Sequence, residues 1–311
     1  VSALRPKAPV VRGSDCTVLE VAVAMSEART DACLLVEPNG MLAGIVTDTD
    51  LARRVAAAGL DAAATRISAV MTAGPMCVSM DDSALDALGT MLDRHFRHLP
   101  VLGGAGSDHA VVGVLDIAKC LYDAISRLQK VARKSSEEAA ATAAATAAAV
   151  EAAAAAMQAG MRRSGSRRDA NLLALMQQAL APVLGGAAGG GGGGSATLGD
   201  VLKGSGREAR VAPGESVEAA AAVMARCRKA VLVLAPEDGS LVGILTPKDI
   251  QNRVLAKGRS AAATAVADVM TPNPDGAPPD LTLIEALRQM HESRYLHLPV
   301  VAEGGAVLGL V

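Results

Sequence analysis

The apolar positions of this chain follow two periods in turn. Helix-like runs cover Val18 to Met25 and Ala84 to Met91, each ending at a methionine. After each comes a short apolar run, Cys33-Leu34-Leu35-Val36 in one place and Leu99-Pro100-Val101-Leu102 in the other. A glycine-containing turn leads to a second apolar run, Gly44-Ile45-Val46 or Val112-Gly113-Val114-Leu115. A further helix is predicted over Asp48 to Ala58 and over Ile117 to Arg127. Short apolar runs bounded by turn residues read as buried strands, and longer periodic ones as helices. The pattern is strand, helix, strand, turn, strand, helix, in units of about 60 residues. A small sheet with helices on one face leaves its other face bare, and a second copy of the unit can cover it.

The pattern then recurs. Val70-Met71-Thr72 returns as Val269-Met270-Thr271, and His98-Leu99-Pro100-Val101 as His297-Leu298-Pro299-Val300. Gly44-Ile45-Val46-Thr47 returns as Gly243-Ile244-Leu245-Thr246, and all three pairs are 199 positions apart. One register for three landmarks means a duplication. The first half spans 1–134, with units at about 1–60 and 67–134; the second spans 197–311, with units at about 197–259 and 266–311. Between them, 135–196 reads as an Ala-rich helix, a short helix and a tether broken by Pro182 and the run Gly189 to Gly194. Each half is expected to fold as one compact α/β (α+β) body, joined flexibly to the other.

Composition narrows the function. Half of the 311 residues are hydrophobic and a fifth are charged, enough for a packed core. There is no Trp, one Phe and two Tyr, so aromatic stacking platforms for single-stranded nucleic acid are excluded. A net charge of −2 argues against phosphate-backbone binding. Five scattered cysteines with no CxxC pair read as reduced thiols, which points to an intracellular, cytoplasmic setting. The Ala-rich stretch is too weakly hydrophobic for a membrane span. No P-loop, HExxH or nucleophile elbow is present, so no enzyme is expected. His95 and His98 are spaced i, i+3, but no further His or Cys stands at ligand spacing, and no metal site is expected.

Three repeated marks together carry a family resemblance: Val-Met-Thr, the His-Leu-Pro-Val strand, and Gly-h-h-Thr-x-x-Asp before a helix (h apolar). The chain resembles CBS domains, whose pairs form Bateman modules and bind adenosine-type ligands. It is most similar to a plant and green-algal group with two CBS pairs and a Phox-and-Bem-type interaction domain. The run Leu115-Asp116-Ile117-Ala118-Lys119-Cys120-Leu121-Tyr122 and Val269-Met270-Thr271-Pro272 carry that closer likeness. The resemblance implies four units in two modules, a homodimer, and a protein partner engaged through a domain beyond Val311. It also implies an adenine nucleotide (AMP, ADP or ATP) as regulatory ligand, with no required cofactor.

In the motif, glycine permits a close backbone approach. Threonine sits at a helix N-terminus suited to a phosphate oxygen, and the carboxylate three residues on can accept ribose hydroxyls. These positions are Gly44, Thr47 and Asp50, and Gly243, Thr246 and Asp249. The plainer reading of each Thr and Asp is a helix cap. In unit two the same positions hold Asp116 and Lys119, which suit neither role. Arg97, His98 and His297, with Lys119, are candidate phosphate contacts by resemblance. Two rival functions remain: a ligand-independent dimerisation scaffold, and the cytosolic regulatory part of a membrane transporter or channel.

Overall fold

The computed structural model describes residues 1–94, 96–104, 110–120, 196–202, 209–293 and 295–311. The linker read between the halves, apart from Ala196, lies outside these residues, as does the helix expected over Ile117 to Arg127 beyond Cys120.

Unit one follows directly from its pattern. Strand β1 (Val11–Gly13) leads through helix α1 (Val18–Glu27) to the parallel strand β2 (Ala32–Val36). Thr17 and Glu20 form a reciprocal capping box that starts α1, worth about 1 kcal/mol. Gly40, at φ 81°, turns the chain into the antiparallel strand β3 (Leu42–Thr47). A continuous helix follows, α2: α-helical over Asp48–Asp50, π-helical over Leu51–Val55 and 3₁₀ over Ala56–Ala58. Strand β4 (Thr72–Ala73) closes the sheet against β3. Unit two has β5 (Val78–Ser79), α3 (Ala84–Asp93), β6 (His98–Leu102) and β7 (Val111–Asp116), with the sheet order β5-β6-β7.

The second half repeats this. After α4 (Leu198–Leu202) come β8 (Arg210–Val211), α5 (Val217–Cys227), β9 (Val231–Leu234) and β10 (Leu241–Leu245). Helix α6 again combines α (Pro247–Asp249), π (Ile250–Val254) and 3₁₀ (Leu255–Lys257) turns, and β11 (Thr271–Pro272) follows. Unit four contributes α7 (Leu283–Glu292), β12 (Pro299–Val301) and β13 (Val307–Leu310).

The bare sheet faces pair as the pattern requires. Ala32, Leu34 and Ile45 of unit one pack on Val114 of unit two, and Ala230, Leu232 and Ile244 of unit three on Leu310 of unit four. Each half also begins with a segment that packs on its second unit. Lys7 exchanges two 3.0 Å backbone hydrogen bonds with Val114, and Val1 is buried in the core of unit two. Leu198 of α4 is buried in the core of unit four.

The halves meet through more than a tether. Helix α1 packs on the last turn of α6, and α5 on the last turn of α2. Val21, Ala22, Leu51 and Val55 join Ala220, Ala221, Val254 and Leu255 in one continuous core. The side chain of Gln251 donates to the Thr30 carbonyl across this junction at 3.2 Å. Small side chains on all four helices allow the close approach. A linker reading alone gives no reason for this contact, because it depends on helix faces from distant parts of the sequence.

Candidate functional site

The two Thr-x-x-Asp motifs occupy equivalent places. Thr47 ends β3, and its hydroxyl accepts from the Asp50 N–H at 3.3 Å. Asp50 answers through Oδ2, which accepts the Thr47 N–H at 3.1 Å and its hydroxyl at 2.8 Å. Thr246 and Asp249 repeat this, with Oδ2 accepting at 2.9 Å and 2.7 Å. The capping role is therefore real in both units. It uses only one carboxylate oxygen. The other oxygen, Oδ1, faces an arginine one turn along: Arg54 at 3.4 Å from Asp50, and Arg253 at 3.3 Å from Asp249. Thr271 also donates to Asp249 Oδ1 at 3.4 Å.

These arginines escaped the sequence reading, although they also lie 199 positions apart. Arg54 donates to the carbonyls of Val70 and Met71 at 2.8 and 2.9 Å, and Arg253 to those of Val269 and Met270 at 2.8 Å each. They fasten the motif helix to the Val-Met-Thr segment. The glycines have a local reason too. A Cβ on Gly44 would sit 2.5 Å from the Met71 sulfur and 2.9 Å from the Thr72 carbonyl oxygen. On Gly243 it would meet the Thr271 carbonyl oxygen at 3.2 Å. The close approach at these glycines is to the chain's own β4 and β11.

Unit two is built differently. Asp116 caps its helix, with Oδ1 accepting the Ala118 N–H at 2.9 Å. Lys119 reaches away, to the Arg5 carbonyl at 3.3 Å. Arg97 and His98 gather around two carboxylates. Arg97 ion-pairs with Asp31 of unit one and lies 3.6 Å from Asp116 Oδ2. His98 Nε2 lies 3.4 Å from Asp31 Oδ1 and 3.9 Å from Asp116 Oδ2. Burial alone would raise the Asp31 pKa, but His98, Arg97 and Lys248 together hold it well below the usual carboxylate range. Buried Asp48, by contrast, is pushed up by desolvation. Asp31 was not foreseen because the second half, one residue shorter before β9, has Lys229 in its place, so the repeat gives no signal.

A cleft of about 190 Å³ opens between units one and two, walled in part by Lys7, Pro9, Arg29, Asp31, His98 and Asp116. Asp50 is not in its lining. His95 lies outside the described residues.

His297 stands half-buried before β12 in unit four. Burial, then the positive charge of Arg97, pushes its pKa down to about 4. An unfolded histidine takes up its proton near pH 6.5, whereas His297 in the fold takes it up only near 4. Stability therefore falls as pH drops through that window and stays level above it. The urea midpoint should fall between pH 7 and pH 4.5 less steeply in His297→Gln than in the parent. Equal slopes would show that His297 is not responsible.

With this arrangement in view, comparison with known proteins is decisive for family. The sequence profile of the CBS domain matches residues 7–57, 67–123, 207–256 and 266–311. The chain belongs to the CBS domain family. It is 36% identical over 295 residues to the CBS domain-containing protein CBSCBSPB3 of Arabidopsis thaliana, covering 95% of this chain and 48% of that one. It is 32% identical over 305 residues to the meiotically up-regulated gene 70 protein of Schizosaccharomyces pombe, covering 94% and 40%. The chain thus spans about half the length, or less, of these curated relatives. In structure it resembles protein MJ1225 from Methanocaldococcus jannaschii, a proposed archaeal homolog of g-AMPK. The TM-score is 0.61 at 14% identity, covering 100% of this chain and 96% of that one, a likeness of fold. CBS-domain proteins of this kind are regulatory, and the CBS domains here form two tandem pairs. No helix among the described residues is long and apolar enough to cross a membrane.

Proposed function

We propose that this CBS-domain chain is a non-catalytic sensor of adenosine nucleotides, taking one ligand per module. The ribose is held by Asp50 in the first and Asp249 in the second. One observation carries this reading: the Thr-Asp-Arg arrangement is repeated in units one and three with one carboxylate oxygen left outside the capping box. That oxygen can accept ribose hydroxyls, while Thr47 or Thr246 and the helix N-terminus face phosphate. Unit two offers neither group, and Arg97, its candidate phosphate contact, is already paired with Asp31. A nucleotide there competes with an internal carboxylate. Lys119 and His297 then have no phosphate role in this proposal.

Ligand binding regulates a partner only through unequal affinity for two arrangements of the units. The junction between α1, α2, α5 and α6 is the part both modules share, so it is where such a preference is felt. Homodimerisation, a cytoplasmic setting, and a protein partner reached through a Phox-and-Bem-type domain beyond Val311 complete the proposal. Titration calorimetry with AMP, ADP and ATP tests it. Two equivalents per chain are expected for the preferred nucleotide, and saturation at about 100 times Kd should add about 2.7 kcal/mol of stability. No binding of any of the three would leave the scaffold reading in its place.

A further inference from the structure

Three metal-ligand side chains converge in the cleft between units one and two. His98 opens β6, Asp116 ends β7 directly opposite it in the ladder, and Asp31 precedes β2 of unit one. The His98 side chain is only 7% exposed, yet its Nε2 makes no hydrogen bond. It points instead at Asp31 Oδ1, 3.4 Å away, and Asp116 Oδ2, 3.9 Å away. The three ligand atoms all lie within 4.8 Å of one another. Zinc held tetrahedrally at about 2.0–2.2 Å by nitrogen and oxygen sets neighbouring ligand atoms about 3.4 Å apart.

The other carboxylate oxygens are already engaged. Arg97 holds Asp31 Oδ2, and the Ala118 N–H donates to Asp116 Oδ1 at 2.9 Å. Such outer contacts fix carboxylates so that their remaining oxygens face one point. The 190 Å³ cleft has room for water at an open coordination position. Cations already stand nearby, Lys248 near Asp31 and Arg97 at 3.6 Å from Asp116 Oδ2. An ion between His98 and the carboxylates replaces that long contact and leaves the Asp31 pair in place.

We propose that the first module binds a divalent transition-metal ion of the zinc class through His98 Nε2, Asp31 Oδ1 and Asp116 Oδ2, joining units one and two. One nitrogen and two oxygen ligands suit such a borderline ion. The site is separate from the nucleotide reading, because it uses neither Asp50 nor Asp249.

The test is calorimetric titration of the metal-stripped full chain with Zn²⁺, with no nucleotide present. One ion per chain is expected. His98→Gln and Asp116→Asn should each weaken binding about tenfold or more. Co²⁺ added to the unaltered chain should give the visible d–d bands of a four-coordinate nitrogen–oxygen site, a reading that needs no variant to fold. Absence of saturable Zn²⁺ binding, full affinity in both His98→Gln and Asp116→Asn, or thiolate charge-transfer bands in the Co²⁺ spectrum would each overturn the proposal.

Discussion

Truncating Leu51 to alanine should lower the melting temperature of both modules together. Leu51 is fully buried at the head of the π-helical turn of α2, in the core shared by α1, α2, α5 and α6. Removing a buried leucine side chain costs about 2–5 kcal/mol, because the hole left behind does not close. In a body of this size each kcal/mol lowers Tm by about 2–4 °C, so a fall of about 4–20 °C is expected. The informative part is where the loss is felt. The chain has no tryptophan, so Tyr295→Trp provides a clean fluorescence reporter in unit four. If the core is shared, the signal of the introduced indole moves with the first module when Leu51 is truncated. A reporter melting at its original temperature while the first module unfolds earlier would mean that the junction carries little energy.

Asp50→Asn and Asp249→Asn should separate capping from binding. The asparagine carbonyl can still accept the Thr47 or Thr246 bonds, so the helix start survives. What is lost is the charge facing Arg54 or Arg253. Such a part-exposed ion pair is worth about 0–1 kcal/mol, and each arginine keeps its two carbonyl partners. Ligand affinity should suffer much more. Hydrogen bonds to a charged group are worth about 1.5–3 kcal/mol each, and about 1.4 kcal/mol is one decade in Kd. At least about a tenfold loss is therefore expected at the altered module, with the other unchanged. A 2′,3′-dideoxy ligand should lose the same affinity with the parent and little more with the variant, since both changes delete the same bonds. Variants that bind as tightly as the parent would leave Asp50 and Asp249 as helix caps only.

The sequence made local order legible and left long-range placement hidden. The runs at Val18, Cys33 and Gly44 became α1, β2 and β3 because each element's period is set by its own residues. The pairing of sheet faces could be anticipated, since a bare apolar face must be covered. The packing of α1 against α6 could not, because alanine and valine faces look alike whether they meet a neighbour in the same module or in the other. At the site, Thr47 and Asp50 stood out by repetition. Arg54 repeats just as faithfully, but its role appears only once the fold brings Val70 and Met71 beside it. Asp31 is unique to the first half and 67 positions from His98, so neither repetition nor spacing could reveal it.

The segment around Lys7 pairs with β7, although β1, α1, β2 and β3 all come between them. This places a constraint on the order of synthesis. At about 5–20 residues per second, the roughly one hundred residues separating Lys7 from Val114 take about 5–20 s to emerge. Throughout that interval unit one can close its own sheet, while the strand-forming edge at Lys7 and the apolar Val1 wait without their partners. The first module is thus completed by its earliest residues, which arrive first and settle last.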